Sequence, residues 1–296
     1  MRANTTGSSS VGVGYNALSS NMTGSSNTAL GNRALQSLVA SNMNTAVGSN
    51  TLTNNTVADN TAIGGNSLAT NTTGTHNAAL GDRSLELNTI GNENTAVGSY
   101  SLANNSTGSN NTAVGYRALV NNTTDNNTAV GFQAMESNII GTGNTAIGVQ
   151  SLMGNSGDQN TALGYNAGFS NTTGDNNIFV GWNAGHSNIT GDSNVILGTN
   201  ADVDDATRSG AIVIGASATS VAANNSFTVR SASVRNQVGP NLLYFDNVTG
   251  EISRNAVGTL DHGGLAGLSD NDHPQYLLRD GTNAMTGDLN MGSRSI

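Results

Sequence analysis

The sequence predicts an all-β protein, a parallel β-solenoid or β-roll built from coils of about 16–17 residues. Three observations predict it. Glycine recurs at thirteen registers, Gly14, Gly31, Gly48, Gly64, Gly81, Gly98, Gly115, Gly131, Gly148, Gly164, Gly181, Gly198 and Gly215, with nine intervals of 17 residues and three of 16. The residue before each of these glycines is always a branched aliphatic, from Val13 to Ile214. The residue four before it is Asn in eleven of the thirteen, among them Asn27, Asn44, Asn60, Asn94, Asn111, Asn127, Asn144 and Asn160. The stretch NNTAVGYRALVNNTTDNNTAVGFQAM, residues 110 to 135, holds two such registers.

The first element of each coil is a short strand. NTAVG is rich in Thr and Val and is bounded on both sides by Asn, Gly, Ser and Thr, which form turns. The polar segment between strands, for example NSTGSNN against NTTDNN, varies most in sequence, so the 16-residue intervals lose their residue there. Stacked at the spacing between strands of about 4.8 Å, twelve intervals make a rod of roughly 58 Å. The Asn file forms a ladder whose side-chain amides bond from coil to coil. The aliphatic residue before the glycine is expected to fill the coil. The Ala in the middle of the early strands, such as Ala113, Ala129 and Ala146, is expected to let a neighbouring chain approach. In the late repeats Ile178-Phe179-Val180, Val195-Ile196-Leu197 and Ile212-Val213-Ile214 are apolar at three successive positions, so both faces of those strands are apolar and one needs a partner.

The solenoid is therefore assigned to residues 8–215. A β-hairpin transition region follows over 216–260, with Leu242 to Phe245 and Glu251 to Ser253 flanking DNVTG. A loop-rich segment, 261–296, closes the chain with DHGGLAGLSDNDHPQYLL (261 to 278) and NAMTGDLNMGSRSI (283 to 296).

Two family resemblances rest on these phrases. NTAVGYRAL and its copies resemble the repeats of trimeric autotransporter adhesin heads, whose S-V-A-I-G phrases build a parallel β-roll in a three-chain bundle; the repeat here is two or three residues longer. The segments at 261–278 and 283–296 resemble bacteriophage tail-fibre modules, in which an H-G-x-L-x-G-L-x-D-D-D-H-x-Q-Y collar precedes an x-M-T-G-D-L-x-M-x-x-x-x-I fibre repeat. Asp270-Asn271-Asp272 departs slightly from the acidic run. Together the resemblances imply a homotrimeric fibre of a virus particle, located on the virion, that attaches to the host cell surface. Its implied partners are its own copies, a host cell-surface glycan or protein, and other tail or fibre proteins. A bacterial trimeric surface adhesin head is the alternative, although no anchor, stalk or secretion signal is visible in the chain.

Composition narrows the function further. About one residue in six is Asn, 38 are Gly, only 10% are charged, and there are 2 Pro, which fits a regular repeat better than disorder. Ten Lys and Arg against 19 Asp and Glu leave a net charge of −9 and no basic patch, which argues against nucleic acid. The absence of Cys removes disulfides and thiolate chemistry, and no stretch approaches a membrane span, so no membrane insertion is expected.

No catalysis and no cofactor are expected either, since no nucleophile elbow, P-loop or paired carboxylates can be placed. His262 and His273, beside Asp261, Asp270 and Asp272, are the weak candidates for a metal; the plainer reading makes them turn and cap residues. Asp202, Asp204 and Asp205 could supply oxygen ligands to calcium, but a surface insertion between the last two coils explains them more simply. Surface binding would use the residues after the glycine, Tyr116, Phe132, Tyr165 and Trp182, with Arg117 beside them. They do not recur in every coil, so no continuous stripe is expected, and packing between chains is the competing reading. The Thr file Thr28, Thr45, Thr61, Thr95, Thr112, Thr128, Thr145 and Thr161 raises an ice-binding solenoid as a further alternative. Ile178, Val195 and Ile212 interrupt the file, which fits a core-facing or interface role better.

Overall fold

The computed structural model describes residues 4–220, 224–229, 241–245 and 252–256, and the chain divides into two units, Met1–Arg235 and Asn236–Ile296. The loop-rich segment 261–296, with His262 and His273, lies outside the described residues.

In the first unit the three residues before each periodic glycine form a strand. These are β1 (Val11–Val13), β2 (Thr28–Leu30), β3 (Thr45–Val47), β4 (Thr61–Ile63), β5 (Ala78–Leu80), β6 (Thr95–Val97), β7 (Thr112–Val114), β8 (Thr128–Val130), β9 (Thr145–Ile147), β10 (Thr161–Leu163), β11 (Ile178–Val180), β12 (Val195–Leu197) and β13 (Ile212–Ile214). A further strand, β14 (Phe227–Val229), pairs with β13, so the sheet extends past Gly215. All fourteen form one parallel sheet in sequence order, with equivalent residues side by side, as in Thr112 beside Thr128, Ala113 beside Ala129 and Val114 beside Val130. Among the described residues there is no helix. In the second unit, β15 (Asn241–Phe245) and β16 (Ile252–Ala256) pair antiparallel, Asn241 opposite Ala256 and Phe245 opposite Ile252.

The inside of the coil corrects two of the sequence expectations. Side chains alternate along a strand, and it is the middle residue that points inward: Ala29, Ala46, Ala113, Ala129 and Ala146 are fully buried. The aliphatic before the glycine points outward, leaving Leu30, Ile63, Leu80, Ile147 and Leu163 exposed. The middle Ala therefore serves the chain's own core and not the approach of a neighbour. The reason is space. Four residues after each glycine from Gly14 to Gly148 a large side chain enters the coil, as Leu18, Leu35, Leu52, Leu68, Leu85, Leu102, Leu119, Met135 and Leu152, all fully buried, and opposite it only a small side chain fits. These residues take φ between 47° and 51°, the left-handed region. That conformation costs about 1–3 kcal/mol, and burial of a Leu side chain returns about 1.5–3 kcal/mol, so the corner is held by the core it fills.

The periodic glycine has a different cause. Gly115 has φ 134°, and a Cβ on it would run into the carbonyl of Gly131 in the next coil. Successive coils approach too closely there for any side chain.

Coils β10 and β11 break the pattern in a compensated way. Phe179 replaces the inward Ala and is fully buried, while Gly168 and Gly185 replace the Leu on either side. A Cβ at Gly168 or Gly185 would overlap the Phe179 ring. One large residue in the middle of the strand thus takes the volume that two corner side chains fill elsewhere.

Candidate binding surface

Two buried ladders hold the coils together and set the position of everything on their outside. In the predicted file, Asn27, Asn44, Asn60, Asn94, Asn111, Asn127, Asn144 and Asn160 are all fully buried. Each side-chain oxygen accepts from the backbone N–H of the next Asn in the file: Asn44 N–H to Asn27 Oδ1 at 3.0 Å, Asn127 N–H to Asn111 Oδ1 at 2.9 Å, Asn144 N–H to Asn127 Oδ1 at 3.0 Å. The side-chain nitrogen donates to a carbonyl of the next coil, as Asn127 Nδ2 to Gly141 O at 3.0 Å and Asn160 Nδ2 to Gly174 O at 2.8 Å.

A second file, seven residues after the glycine, escaped the sequence reading although its period is equally visible: Asn55, Asn71, Asn88, Asn105, Asn122, Asn138, Asn155, Asn171 and Asn188. Here amide meets amide, Asn71 Nδ2 donating to Asn55 Oδ1 at 2.7 Å and Asn88 Nδ2 to Asn71 Oδ1 at 2.8 Å. In the three 16-residue coils the missing residue lies between the two files. There the files bond to each other, Asn60 to Asn55 at 3.3 Å, Asn127 to Asn122 at 3.1 Å and Asn160 to Asn155 at 3.2 Å, as Asn194 and Asn188 also do in a 17-residue coil.

On the outside, the residue after the glycine is apolar in part of the solenoid. Tyr116, Phe132, Val149, Tyr165 and Trp182 occupy this position in five successive coils, each between 38% and 48% exposed. The same position holds Ser99 in the coil before and Thr199 in the coil after, so the file does not run through every coil. Tyr116 stacks on Phe132 with centroids 5.6 Å apart and planes at 16°, and Tyr100 meets Tyr116 edge-on at 6.2 Å. The Arg83 guanidinium lies 5.6 Å from the Tyr100 ring centre.

Arg117, beside this file, has an ion-pair partner. Its Nη2 sits 2.7 Å from Glu136 Oε1, and the Glu136 side chain is only 9% exposed. The cation pairs with a nearly buried carboxylate of the next coil, while the rest of the Arg117 side chain stays 43% exposed.

That ion pair also shows which positions are neighbours: two residues after a glycine and five after the next. Along the same corner the first of these positions holds Gln133, Gln150, Asn166 and Asn183, and the second holds Met153, Phe169 and His186. Gln150 Nε2 donates to Gln133 Oε1 at 3.1 Å, and Phe169 stacks on His186 at 5.5 Å and 23°. The buried oxygens Asn166 Oδ1 and Asn183 Oδ1 have no hydrogen-bond partner. A row of amides thus runs between two rows that carry aromatic rings.

The insertion near the last coils is tied up internally. Asp204 accepts from Arg208 Nε at 2.8 Å and Nη2 at 3.0 Å and from Ser220 Oγ at 2.6 Å, and these bonds hold its carboxyl down at about 2. Asp205 accepts from the Thr207 N–H and hydroxyl, which also lowers its pKa. Asp202 accepts from the Ser187 N–H. Elsewhere Asp158, Asp175 and Asp192 form a column in three successive coils, Asp175 Oδ1 accepting from Asp158 N–H at 2.7 Å. Among the described residues no group of three or more His, Cys, Asp or Glu is arranged to hold a metal ion, and no helix is long and apolar enough to cross a membrane.

These features define a β-solenoid repeat protein of about seventeen residues per coil. Compared with known proteins, the chain matches no protein-family model and no curated protein.

Proposed function

We propose that this chain is a non-catalytic segment of a homotrimeric fibre of a virus particle, a phage tail fibre that extends toward the host cell surface and helps attach to it. The observation that supports this best is the outward face of the solenoid sheet. Leu30, Ile63, Leu80, Ile147, Leu163, Ile178, Ile212 and Ile214 lie exposed along it, on β2, β4, β5, β9, β10, β11 and β13. Apolar side chains gathered in a stripe along one face mark a contact surface. Self-association around a threefold axis would bury the stripe of all three copies at once. The phrases at 261–278 and 283–296 add the resemblance to tail fibres, which implies a place on the virion and contact with other fibre proteins.

Sedimentation velocity tests the assembly. The expected species has three times the chain mass of 29.9 kDa, about 90 kDa. Leu163→Asp combined with Ile212→Asp, both outside the core, is expected to shift it to monomer. A stable monomer of the unaltered chain at micromolar concentration overturns the proposal.

An ice-binding solenoid remains a second reading because of one feature. The Thr file Thr28, Thr45, Thr61, Thr95, Thr112, Thr128, Thr145 and Thr161 lies on this outward face and not in the core, and its hydroxyls make no hydrogen bond among the described residues. Thermal hysteresis by a monomeric chain supports that reading; its absence ends it.

A further inference from the structure

We propose that the side of the solenoid following the second Asn file is the counter-surface of the assembly: each copy sets its strand face against this side of the next copy, and the contacts close into a ring of three. The inference rests on the trimer proposed above and names the surface that the apolar stripe meets. Eight and nine residues after the glycine, Met22, Val39, Ile90, Ile139, Ile140 and Ile189 are between 41% and 67% exposed. Thr fills most of the remaining places, and its hydroxyl eight residues after the glycine is used within the chain. Thr72 Oγ1 donates to Thr89 O at 2.9 Å, Thr89 Oγ1 to Ser106 O at 2.8 Å, Thr123 Oγ1 to Ile139 O at 2.9 Å and Thr172 Oγ1 to Ile189 O at 3.0 Å. These donors keep their bonds when the side is covered, so they add no penalty for lost water.

Charge selects the same two surfaces. In the coils from Gly14 to Gly181 no strand residue is charged, and neither is any residue eight or nine after the glycine. Every charged side chain of these coils falls one to five or ten to twelve residues after the glycine, such as Arg117 and Glu136 in the first stretch and Asp158, Asp175 and Asp192 in the second. Each copy carries a net charge of −9, so copies approach best where no like charges are set against each other.

Area and period decide what covers the second surface. A strand face three residues wide is about 10 Å across and roughly 58 Å long, about 580 Å² per copy, so one face against one counter-surface covers roughly 1,160 Å² in total. That lies at the lower limit of about 1,200 Å² for a stable interface. A two-fold pair would place strand face on strand face and leave the second surface bare, whereas a ring gives every copy two contacts and covers both surfaces. A closed ring has no rise along its axis, so each coil meets the same coil of its neighbour, and the shared period keeps all of them in step. A partner with another period would lose that register.

Because the chain has no Cys, introduced cysteines report neighbours without background. Ile178 lies on the strand face and Ile189 on the counter-surface of the same coil, 40% and 41% exposed. Chains carrying Ile178→Cys and chains carrying Ile189→Cys are co-expressed in full length and oxidised. Disulfides that join the two kinds of chain are expected, with no cross-link when either kind is expressed alone. Cross-linking of Ile178→Cys chains to one another, with none between the two kinds, overturns the proposal. Sedimentation velocity of Ile140→Asp combined with Ile189→Asp, neither on a strand, supplies the second measurement. The mass should fall threefold, from about 90 kDa to 29.9 kDa, with the circular dichroism spectrum kept because both side chains are outside the core. A trimer that persists in this variant refutes the counter-surface and leaves the trimer standing, whereas a monomer of the unaltered chain removes the trimer and this inference together.

Discussion

Phe179 with Gly168 and Gly185 offers the sharpest test of how the core is filled. Phe179→Ala by itself removes a fully buried ring and leaves a cavity flanked by two glycines, with an expected cost of about 3–5 kcal/mol. Gly168→Leu or Gly185→Leu alone forces a side chain into the ring and is also destabilising, since even a Cβ there overlaps it. The triple variant Phe179→Ala, Gly168→Leu, Gly185→Leu recreates the arrangement of the regular coils, in which Leu102 and Leu119 flank Ala113. The backbone already suits it: φ is 61° and 63° at the two glycines, against 49° and 51° at Leu102 and Leu119. The triple variant should therefore be less destabilised than the sum of the single costs, short of full recovery because the leucine introduced at Gly185 also meets Ile196 where a regular coil has Ala. Equilibrium denaturation in guanidinium, followed by Trp182 fluorescence one coil corner away, measures this locally, which suits a repeat protein whose coils need not unfold together. A triple variant as unstable as the sum of its parts would refute the volume exchange.

Two further outcomes follow from buried polar groups. Asn127→Asp keeps the oxygen that accepts from Asn144 N–H but replaces the nitrogen that donates to Gly141 O with a second oxygen, in a fully buried site. The introduced carboxyl should titrate above its unfolded value, so the variant is destabilised at neutral pH and recovers as pH falls and the acid becomes a donor; a pH series of melting temperatures checks the sign, and equal loss at all pH values refutes it. For Asp204 the sign is opposite. Its folded pKa of about 2 lies below the ordinary value of 3.8, so its contribution is fully present above the unfolded value and is lost as pH falls through the range between the two. Arg208→Ala should bring the carbon-13 carboxyl titration of Asp204 back toward 3.8, and an unchanged titration would show that Ser220 alone holds it down.

Much of the coil was legible because repetition amplifies weak signals. A three-residue strand such as Thr112–Val114 is far too short to read by itself, but thirteen copies with a glycine after each made strand, period and first Asn file plain. The second Asn file, from Asn55 to Asn188, was just as periodic. It went unread because Asn in a polar segment looks like a turn former, and nothing local distinguishes a buried turn amide from an exposed one. Tyr116, Phe132, Tyr165 and Trp182 stood out one by one in the sequence, but the stacking of Tyr116 on Phe132 appears only when successive coils are in register.

The sequence by itself determined the period, the place of each strand, the parallel stacking and the glycine that allows close approach between coils, since all of these recur at fixed spacing. Only the tertiary structure decided which strand face is inside. In a strand both faces are equally available to the backbone, and the choice is made by what stands opposite. The left-handed corner sends Leu119 and its equivalents inward, which leaves room for Ala113 and turns Val114 out. The same closure through space, not along the chain, pairs Arg117 with Glu136 and places the Phe179 ring between Gly168 and Gly185.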